Sequence, residues 1–424
     1  MKRLGILFVM GYALSAGAAQ AATYHVSKAG SNSNSCAQAQ STGTTKLTIV
    51  GGLGCLSAGD TLLVRAGTYD ERLTNNIPSG TSWSNKVRIA AYPGETVWLK
   101  PTTTNPLGTS IYLSQGQQYI EFDGINIDAT VVDATVLLDN RPNQSPAVVA
   151  PNHIRMQNSE FKNHGSPGGG GAAISLGGSF HEMLNMTVHG TGGPYAFYIS
   201  GDDNLIDGCD IYDVSFAGLQ IYHGGSSPAR NVVRNTKIHD LTVSEFFGVT
   251  DGRMYGLNVT GTDSEIYNNV IYNINYPYQG GNAGINLYTS SGTKIYNNTI
   301  YNNTTACVYL DGGAKTAVIR NNICYGNTGG GGGIIGSATT SNNLFTNPLF
   351  KDAGAGDFGL LSISSPAYNT GSTVTTATVN GLSVSTDKNG IVRLQSRAFD
   401  IGALQYIGQQ APPAAPSGLR IVSY

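Results

Sequence analysis

Three groups of residues carry side chains suited to bond-breaking chemistry. Gly201-Asp202-Asp203 sets two carboxylates side by side, and His223-Gly224 follows roughly one repeat later. Paired carboxylates serve as acid and base around a glycosidic bond. The stretch from Leu241 to Tyr255, LTVSEFFGVTDGRMY, gathers Glu245, Asp251 and Arg253. Elimination from a uronate needs a base for the proton alpha to the carboxylate and a cation to neutralise that carboxylate. Arg253 is the candidate neutraliser, and Tyr222, Tyr255 or His223 the candidate base. Each group has a plainer reading. Asp202 and Asp203 suit a turn, and Arg253 can simply pair with Asp251 at the surface. His164, His181 and His189 are scattered, and lone histidines in turns usually cap backbone or face solvent.

A second set of residues suits binding. Short phrases with apolar residues at i and i+2 recur as Ile174-Ser175-Leu176, Phe197-Tyr198-Ile199, Leu219-Gln220-Ile221, Leu257-Asn258-Val259, Ile285-Asn286-Leu287 and Val308-Tyr309-Leu310. This alternation describes strands with one face inside. Their outward members are Ser175, Tyr198, Gln220, Asn258, Asn286 and Tyr309. Two residues further on come Ser200, Tyr222, Thr260, Tyr288 and Asp311. Tyrosines among amides and hydroxyls suit sugars, whose ring faces bury aromatic surface while their hydroxyls take hydrogen bonds. The expected contacts are Tyr198, Gln220, Asn258, Asn286, Tyr288, Tyr309 and Asp311. The alternative is that Tyr is common on β surfaces.

These strands belong to a repeat. Between residues 119 and 345 the phrase apolar–polar–Asn/Gly–x–x–apolar recurs, as in FDGINI at Phe122, MQNSEF at Met156, IYNNTI at Ile295 and IRNNIC at Ile319. Its Asn/Gly column is Gly124, Asn158, Asn185, Gly208, Asn235, Asn268, Asn297, Asn321 and Asn342, at intervals of 21 to 34 residues. Such a period marks a solenoid. With short strands, Gly turns and no helical period, the expected fold is an all-β right-handed parallel β-helix. The column should stack as an amide ladder along the axis, and Asn297, Asn298, Asn321 and Asn322 are read as that ladder rather than as ligands.

Composition narrows the partners. The 424 residues hold 24 Lys+Arg against 26 Asp+Glu, with 56 Gly and 23 Tyr. A net charge of -2 without a basic run argues against nucleic acid. Lys2 and Arg3, the apolar run Leu4 to Leu14 and Ala19-Gln20-Ala21 read as an export signal. That run is shorter than the ~20 residues of a membrane span, and none is expected later. Export permits a disulfide between Cys36 and Cys55. Cys209, Cys307 and Cys324 are expected to be small buried residues. No CxxC or HExxH spacing points to zinc. The Gly168–Gly171 and Gly329–Gly333 runs lack the Lys-Ser/Thr of a phosphate loop. Asp202, Asp203, Asp263 and Asp311 offer oxygen ligands of the kind calcium takes, at no fixed spacing.

The phrases GDTLLVRAGTY (from Gly59) and AYPGE (from Ala91), the Asn-Asn coils and DIGALQY (from Asp400) resemble the pectate-lyase-like superfamily of right-handed β-helix proteins, over roughly residues 24–407. That resemblance implies lyases, glycoside hydrolases, epimerases and non-catalytic binders alike. Asp202-Asp203 with His223-Gly224 is similar to part of the polygalacturonase pattern. The Asn-Thr-Asp of the coil before is here Leu176-Gly177-Gly178, and the Arg-Ile-Lys of the coil after is Asn258-Val259-Thr260. Alginate lyase and chondroitinase relatives place Lys and Arg on adjacent outward strands, and the expected face has neither.

The expected organisation is a signal over 1–21, a cap and first coils over 22–118, central coils over 119–345, C-terminal coils and closing strands over 346–407, and a mobile Pro/Ala-rich tail over 408–424. The expected protein is a monomer, secreted or held in the periplasm or at the cell surface, with polysaccharide as partner. Elimination on a uronate-containing polysaccharide is preferred. A non-catalytic glycan-binding or structural role comes next, and polygalacturonase-like hydrolysis third.

Overall fold

The computed structural model describes residues 21–408, apart from 104–107, 133, 142–146, 165–170, 191–192, 223, 225–226, 242–253, 276–281, 312–315, 329–331, 375–383 and 395. Among the described residues, each complete coil contributes one strand to each of three parallel sheets, of 12, 10 and 10 strands, the first sheet having one further strand at each end. One full coil runs through Gln118–Asp123 in the first sheet, Ile125–Asp128 in the second and Ala134–Leu138 in the third, before Asn152–Gln157 opens the next. Every strand therefore hydrogen-bonds to its counterpart about one repeat away.

The register explains the repeat. Phe122, Met156, Met183, Ile206, Val233, Ile266, Ile295 and Ile319 stack in the first sheet, each fully or almost fully buried. Burying each such side chain contributes about 1.5–3 kcal/mol. The stacking continues rung after rung along the interior, so a single core runs through the rod.

The Asn/Gly column marks the corner between the first and second sheets. All nine members have positive φ, from 49° at Asn297 to 69° at Gly124 and Gly208. Left-handed backbone is unfavourable for most side chains, and Gly and Asn bear it best. The amide ladder runs through the residue after each of the last four column positions, so Asn298 and Asn322 belong to it as expected while Asn297 and Asn321 do not. Asn269, Asn298, Asn322 and Asn343 link side chain to side chain at 2.9–3.0 Å. Each also accepts a backbone N–H from the preceding rung, as Asn322 does from Asn298 at 2.9 Å. Within the column, amide contacts are longer, 3.3 Å for Asn321 to Asn297 and 3.5 Å for Asn185 to Asn158. The reason is direction: the left-handed residue turns the chain, and its successor points into the corner.

Two short helices, Cys36–Ala39 and Ile49–Leu53, pack at the N-terminal end and bury Ala39, Ile49 and Leu53. A disulfide joins Cys36 to Cys55 with Cα atoms 5.4 Å apart, as expected. A second disulfide, Cys307–Cys324, corrects the reading of those two residues as plain buried thiols. Cys307 in the third sheet and Cys324 in the second sheet of the next coil both face the core, which brings their Cα atoms to 5.4 Å. Cys209 is free and buried.

Among the described residues, the chain beyond residue 349 does not stack as further coils. Phe350–Asp352 and Asp357–Leu360 form an antiparallel pair. Val374, Val384 and Phe399 pack against Tyr267 and Tyr296, while Phe358 and Ala403 pack against Val270 and Tyr272. The column amides receive this segment: Asn268 donates to the Thr386 carbonyl, Asn297 to that of Asp400 and Asn321 to that of Ser372. The DIGALQY phrase thus lies along the flank of the rod instead of closing its end.

Charges are organised on the other faces of the rod. Arg88, Glu121, Arg155 and Glu182 alternate across successive rungs of the first sheet, at 2.7–3.1 Å. No described helix is long and apolar enough to cross a membrane. The expected signal falls, but for Ala21, outside the described residues, and so does most of the Pro/Ala-rich tail.

Candidate functional site

The third sheet carries the candidate site. Parallel pairing of Ala172–Leu176, Tyr195–Ile199, Ala217–Ile221, Tyr255–Val259, Ala283–Tyr288 and Ala306–Asp311 aligns Ser175, Tyr198, Gln220, Asn258, Asn286 and Tyr309 in one row, in the order expected. A groove of about 420 Å³ opens over the middle of this sheet. Its lining includes Tyr198, Gln220, Tyr222, Tyr255, Asn258, Thr260, Asn286 and Tyr288.

The floor is a chain of amides. Asn286 donates to the Asn258 side-chain oxygen at 2.7 Å, and Asn258 donates to Gln220 at 2.8 Å. Gln220 and Asn286 are buried, so these contacts hold their amides in fixed orientation. One wall is aromatic. Tyr195 meets Tyr198 and Phe216 edge-on at 5.5 and 5.6 Å, Phe216 meets Tyr255 at 5.9 Å, and Tyr198 meets Tyr222 at 6.3 Å. Burial, with Tyr195 and Tyr222 beside it, pushes the Tyr198 hydroxyl up to about 12. Tyr198 therefore stays protonated at neutral pH and offers a hydrogen bond rather than a base.

Tyr195 and Phe216 lie outside the period-two pattern. An extra inward residue interrupts the alternation in every strand here, at Ala196, Gly218, Gly256, Gly284 and Cys307. A Cβ on Gly256 would stand 2.6 Å from Ile271 and 2.5 Å from the Gly284 carbonyl oxygen, and one on Gly284 2.4 Å from Ile300. That column of small residues was the available signal. It shifts Tyr195, Ala217, Tyr255, Ala283 and Ala306 into a second outward row.

The other expected site residues divide. Tyr255 is nearly buried in the aromatic wall, whereas Tyr222 and Tyr288 are exposed at 37% and 41%. Tyr309 packs against the outer cluster of Ala217, Tyr255, Ala283 and Ala306, and Asp311 pairs in register with Tyr288. Arg253 and His223 lie outside the described residues, as do Glu245 and Asp251.

Asp202 and Asp203 sit at the corner between the third and first sheets and do not line the groove. Arg230, one rung on, holds both oxygens of Asp203 at 2.8 and 2.6 Å, and Asp202 accepts the Ala229 N–H at 2.8 Å. With φ at 57°, Asp203 takes the turn role. Among the described residues no group of three or more His, Cys, Asp or Glu is placed to hold a metal ion.

The histidines stay apart. His164 and His181 are buried in the core, and burial pushes each down to about 4. His189 stacks on Tyr212 at 4.7 Å and contacts Glu160 at 3.0 Å.

A model of the right handed beta helix region matches residues 244–369. Together with the three stacked parallel sheets, that match decides the class. This chain is a right-handed parallel β-helix protein. The β-helix is similar to the crystal structure of the pectate lyase Pel9A, with a TM-score of 0.61 and 16% identity, covering 92% of this chain and 98% of that one. It is also similar to XylC in complex with xylose, with a TM-score of 0.51 and 14% identity over 75% of this chain and 70% of that one. At these identities the likeness shows the pectate-lyase-like fold and nothing finer. No curated protein matches the sequence.

Proposed function

We propose that this β-helix is a secreted carbohydrate-active protein that holds a polysaccharide along the groove of its third sheet. The observation that carries this reading is the oriented amide floor, Gln220–Asn258–Asn286, set against an aromatic wall in an open groove. Fixed amides suit sugar hydroxyls, and tyrosine rings suit the apolar faces of pyranoses. The Pel9A likeness is in keeping with it, since that protein is a pectate lyase.

In its catalytic form the reading is elimination on a uronate-containing chain. Arg253 would neutralise the uronate carboxylate, and Tyr222, Tyr255 or His223 would take the alpha proton. Arg253 lies two residues before Tyr255, which lines the groove. One observation favours a non-catalytic glycan binder as the second reading. Among the described groove-lining residues there is no charged side chain.

Incubating the mature protein with polygalacturonate, alginate and chondroitin, while following ultraviolet absorbance from unsaturated uronate, tests the two. Absorbance that grows with wild type and vanishes in Arg253→Ala supports elimination. Retention on an immobilised polysaccharide without any absorbance gain supports the binder. Neither retention nor turnover on any polysaccharide overturns the proposal.

A further inference from the structure

The residues along one rim of the groove alternate in size from rung to rung. Extending the register by one residue past Ile199, Ile221, Val259 and Leu287 gives the row Ser200, Tyr222, Thr260, Tyr288, with Asp311 paired to Tyr288. Ser200 and Thr260 are short and turned back on the sheet. Each hydroxyl contacts a carbonyl of the preceding rung, Ser200 that of Leu176 at 3.4 Å and Thr260 that of Ile221 at 2.9 Å. Tyr222 and Tyr288 are the exposed large side chains of this row, and both line the groove.

Adjacent strands lie about 4.8 Å apart, so Tyr222 and Tyr288, two rungs apart, are separated by roughly 9.6 Å along the axis. A disaccharide unit of an extended glycan spans that distance. Each Tyr stands beside a floor amide of its own strand, Gln220 for Tyr222 and Asn286 for Tyr288, while Asn258 lies between them beside Thr260. Ring, gap and ring over an amide floor is a surface with a two-rung repeat.

We infer that the groove selects an extended, ribbon-like glycan in which every second sugar presents the same face, running along the rod axis with those sugars stacked on Tyr222 and Tyr288. This rests on the glycan-binding reading of the groove and adds the conformational class of the ligand. The intervening sugar, turned over in a twofold chain, sits above Thr260 and meets Asn258 with its hydroxyls. A helical glycan, whose sugars return to the same face at another interval, engages one tyrosine at a time.

The test is titration calorimetry of the full chain with defined oligosaccharides. Probes are cello-oligosaccharides and β-1,4-linked oligomannuronates of two to six residues as ribbons, and maltohexaose as the helical chain. The expected result is a rise in affinity of about tenfold on going from the disaccharide to the trisaccharide in at least one ribbon series, because three sugars reach both rings. Tyr222→Ala and Tyr288→Ala each abolish that rise, while Tyr288→Phe keeps it. Ribbon binding with no step at three residues, or binding indifferent to both tyrosines, overturns the inference and leaves the glycan groove standing. So does maltohexaose binding as tightly as the ribbon hexamers. Absence of binding by every probe and by the polysaccharides named above removes both.

Discussion

Arg393 donates to the side-chain oxygen of Asn268 at 3.0 Å, joining residues 125 positions apart in the chain. The guanidinium is fully buried and also reaches the Asp400 and Gly402 carbonyls and the Gln405 side chain at 3.0–3.2 Å. One cation thus fastens the C-terminal segment to the left-handed corner of the rod. Replacing Arg393 with Leu strands these acceptors away from water, at a cost of roughly 3–5 kcal/mol. Limited proteolysis should then cut the chain after residue 349 while the coils persist. Unchanged protease resistance would show that the apolar contacts of Phe399 and Phe358 suffice.

The buried ladder makes Asn298 more costly to lose than its neighbours in the turn column. Asn298 accepts from the Asn269 backbone and side chain and donates to the Ile266 carbonyl and to Asn322, all at 2.9–3.0 Å. Asn298→Leu should destabilise by about 2–4 kcal/mol, since several buried groups lose their partners together. Asn342→Ala, at an exposed corner with φ of 51°, should cost about 1 kcal/mol. Urea midpoints for the two variants give the comparison. Equal shifts would count against the ladder.

Acid should weaken the N-terminal half of the rod. The His181 Nδ1 accepts the Ile154 N–H at 3.2 Å, and its Nε2 contacts the Gly177 carbonyl at 3.0 Å, an arrangement that needs neutral imidazole. Burial holds His181 and His164 near 4, against 6.5 in the unfolded chain. The unfolded chain therefore binds more protons between these values. Stability is full above about pH 6.5 and falls as pH drops toward 4, by at most about 3 kcal/mol for each histidine. Urea unfolding at pH 7.0 and 4.5 measures this, and His181→Asn should flatten the slope. A profile independent of pH in that window would contradict it.

The internal disulfide closes a loop between Cys307 and Cys324, 17 positions apart in the chain. Converting both to Ala should lower stability by about 3 kcal/mol through the freed unfolded chain. The same loss should follow reduction under denaturing conditions and refolding with blocked thiols.

Gly256→Ala tests the column of small residues. The added methyl would stand 2.5 Å from the Gly284 carbonyl oxygen and 2.6 Å from Ile271. Overpacking of this kind costs about 1–3 kcal/mol. Because Tyr255 and Asn258 share this strand, glycan retention should fall with it. A variant as stable as wild type with full retention would argue that the strand yields freely.

Much of this was legible in the residues. The Asn/Gly column located the corners between the first and second sheets from Gly124 to Asn321, and the period-two phrases located the groove floor to the residue. Tyr195 stayed hidden because Ala196 inserts a second inward position that a strict alternation does not foresee, and Phe216 because it lies in the bend before Ala217–Ile221. Cys307 and Cys324 looked like isolated thiols because their pairing depends on which faces of consecutive coils meet. Asp202 and Asp203 were open to a catalytic or a turn reading, and the Arg230 that pairs with Asp203 lies one rung away, at a distance along the chain that carries no local signal.

Local physics therefore determined the coil: turn residues tolerant of positive φ, apolar pairs that must leave water, and an interval that repeats. Which side chains share a rung, and which are spent on one another, was decided by stacking alone. Register between strands some 25 residues apart is set by the whole column at once, as it brought Asn286 to Asn258 and Asn322 to Asn298. A one-dimensional pattern holds the period of such a column but not the partners it creates.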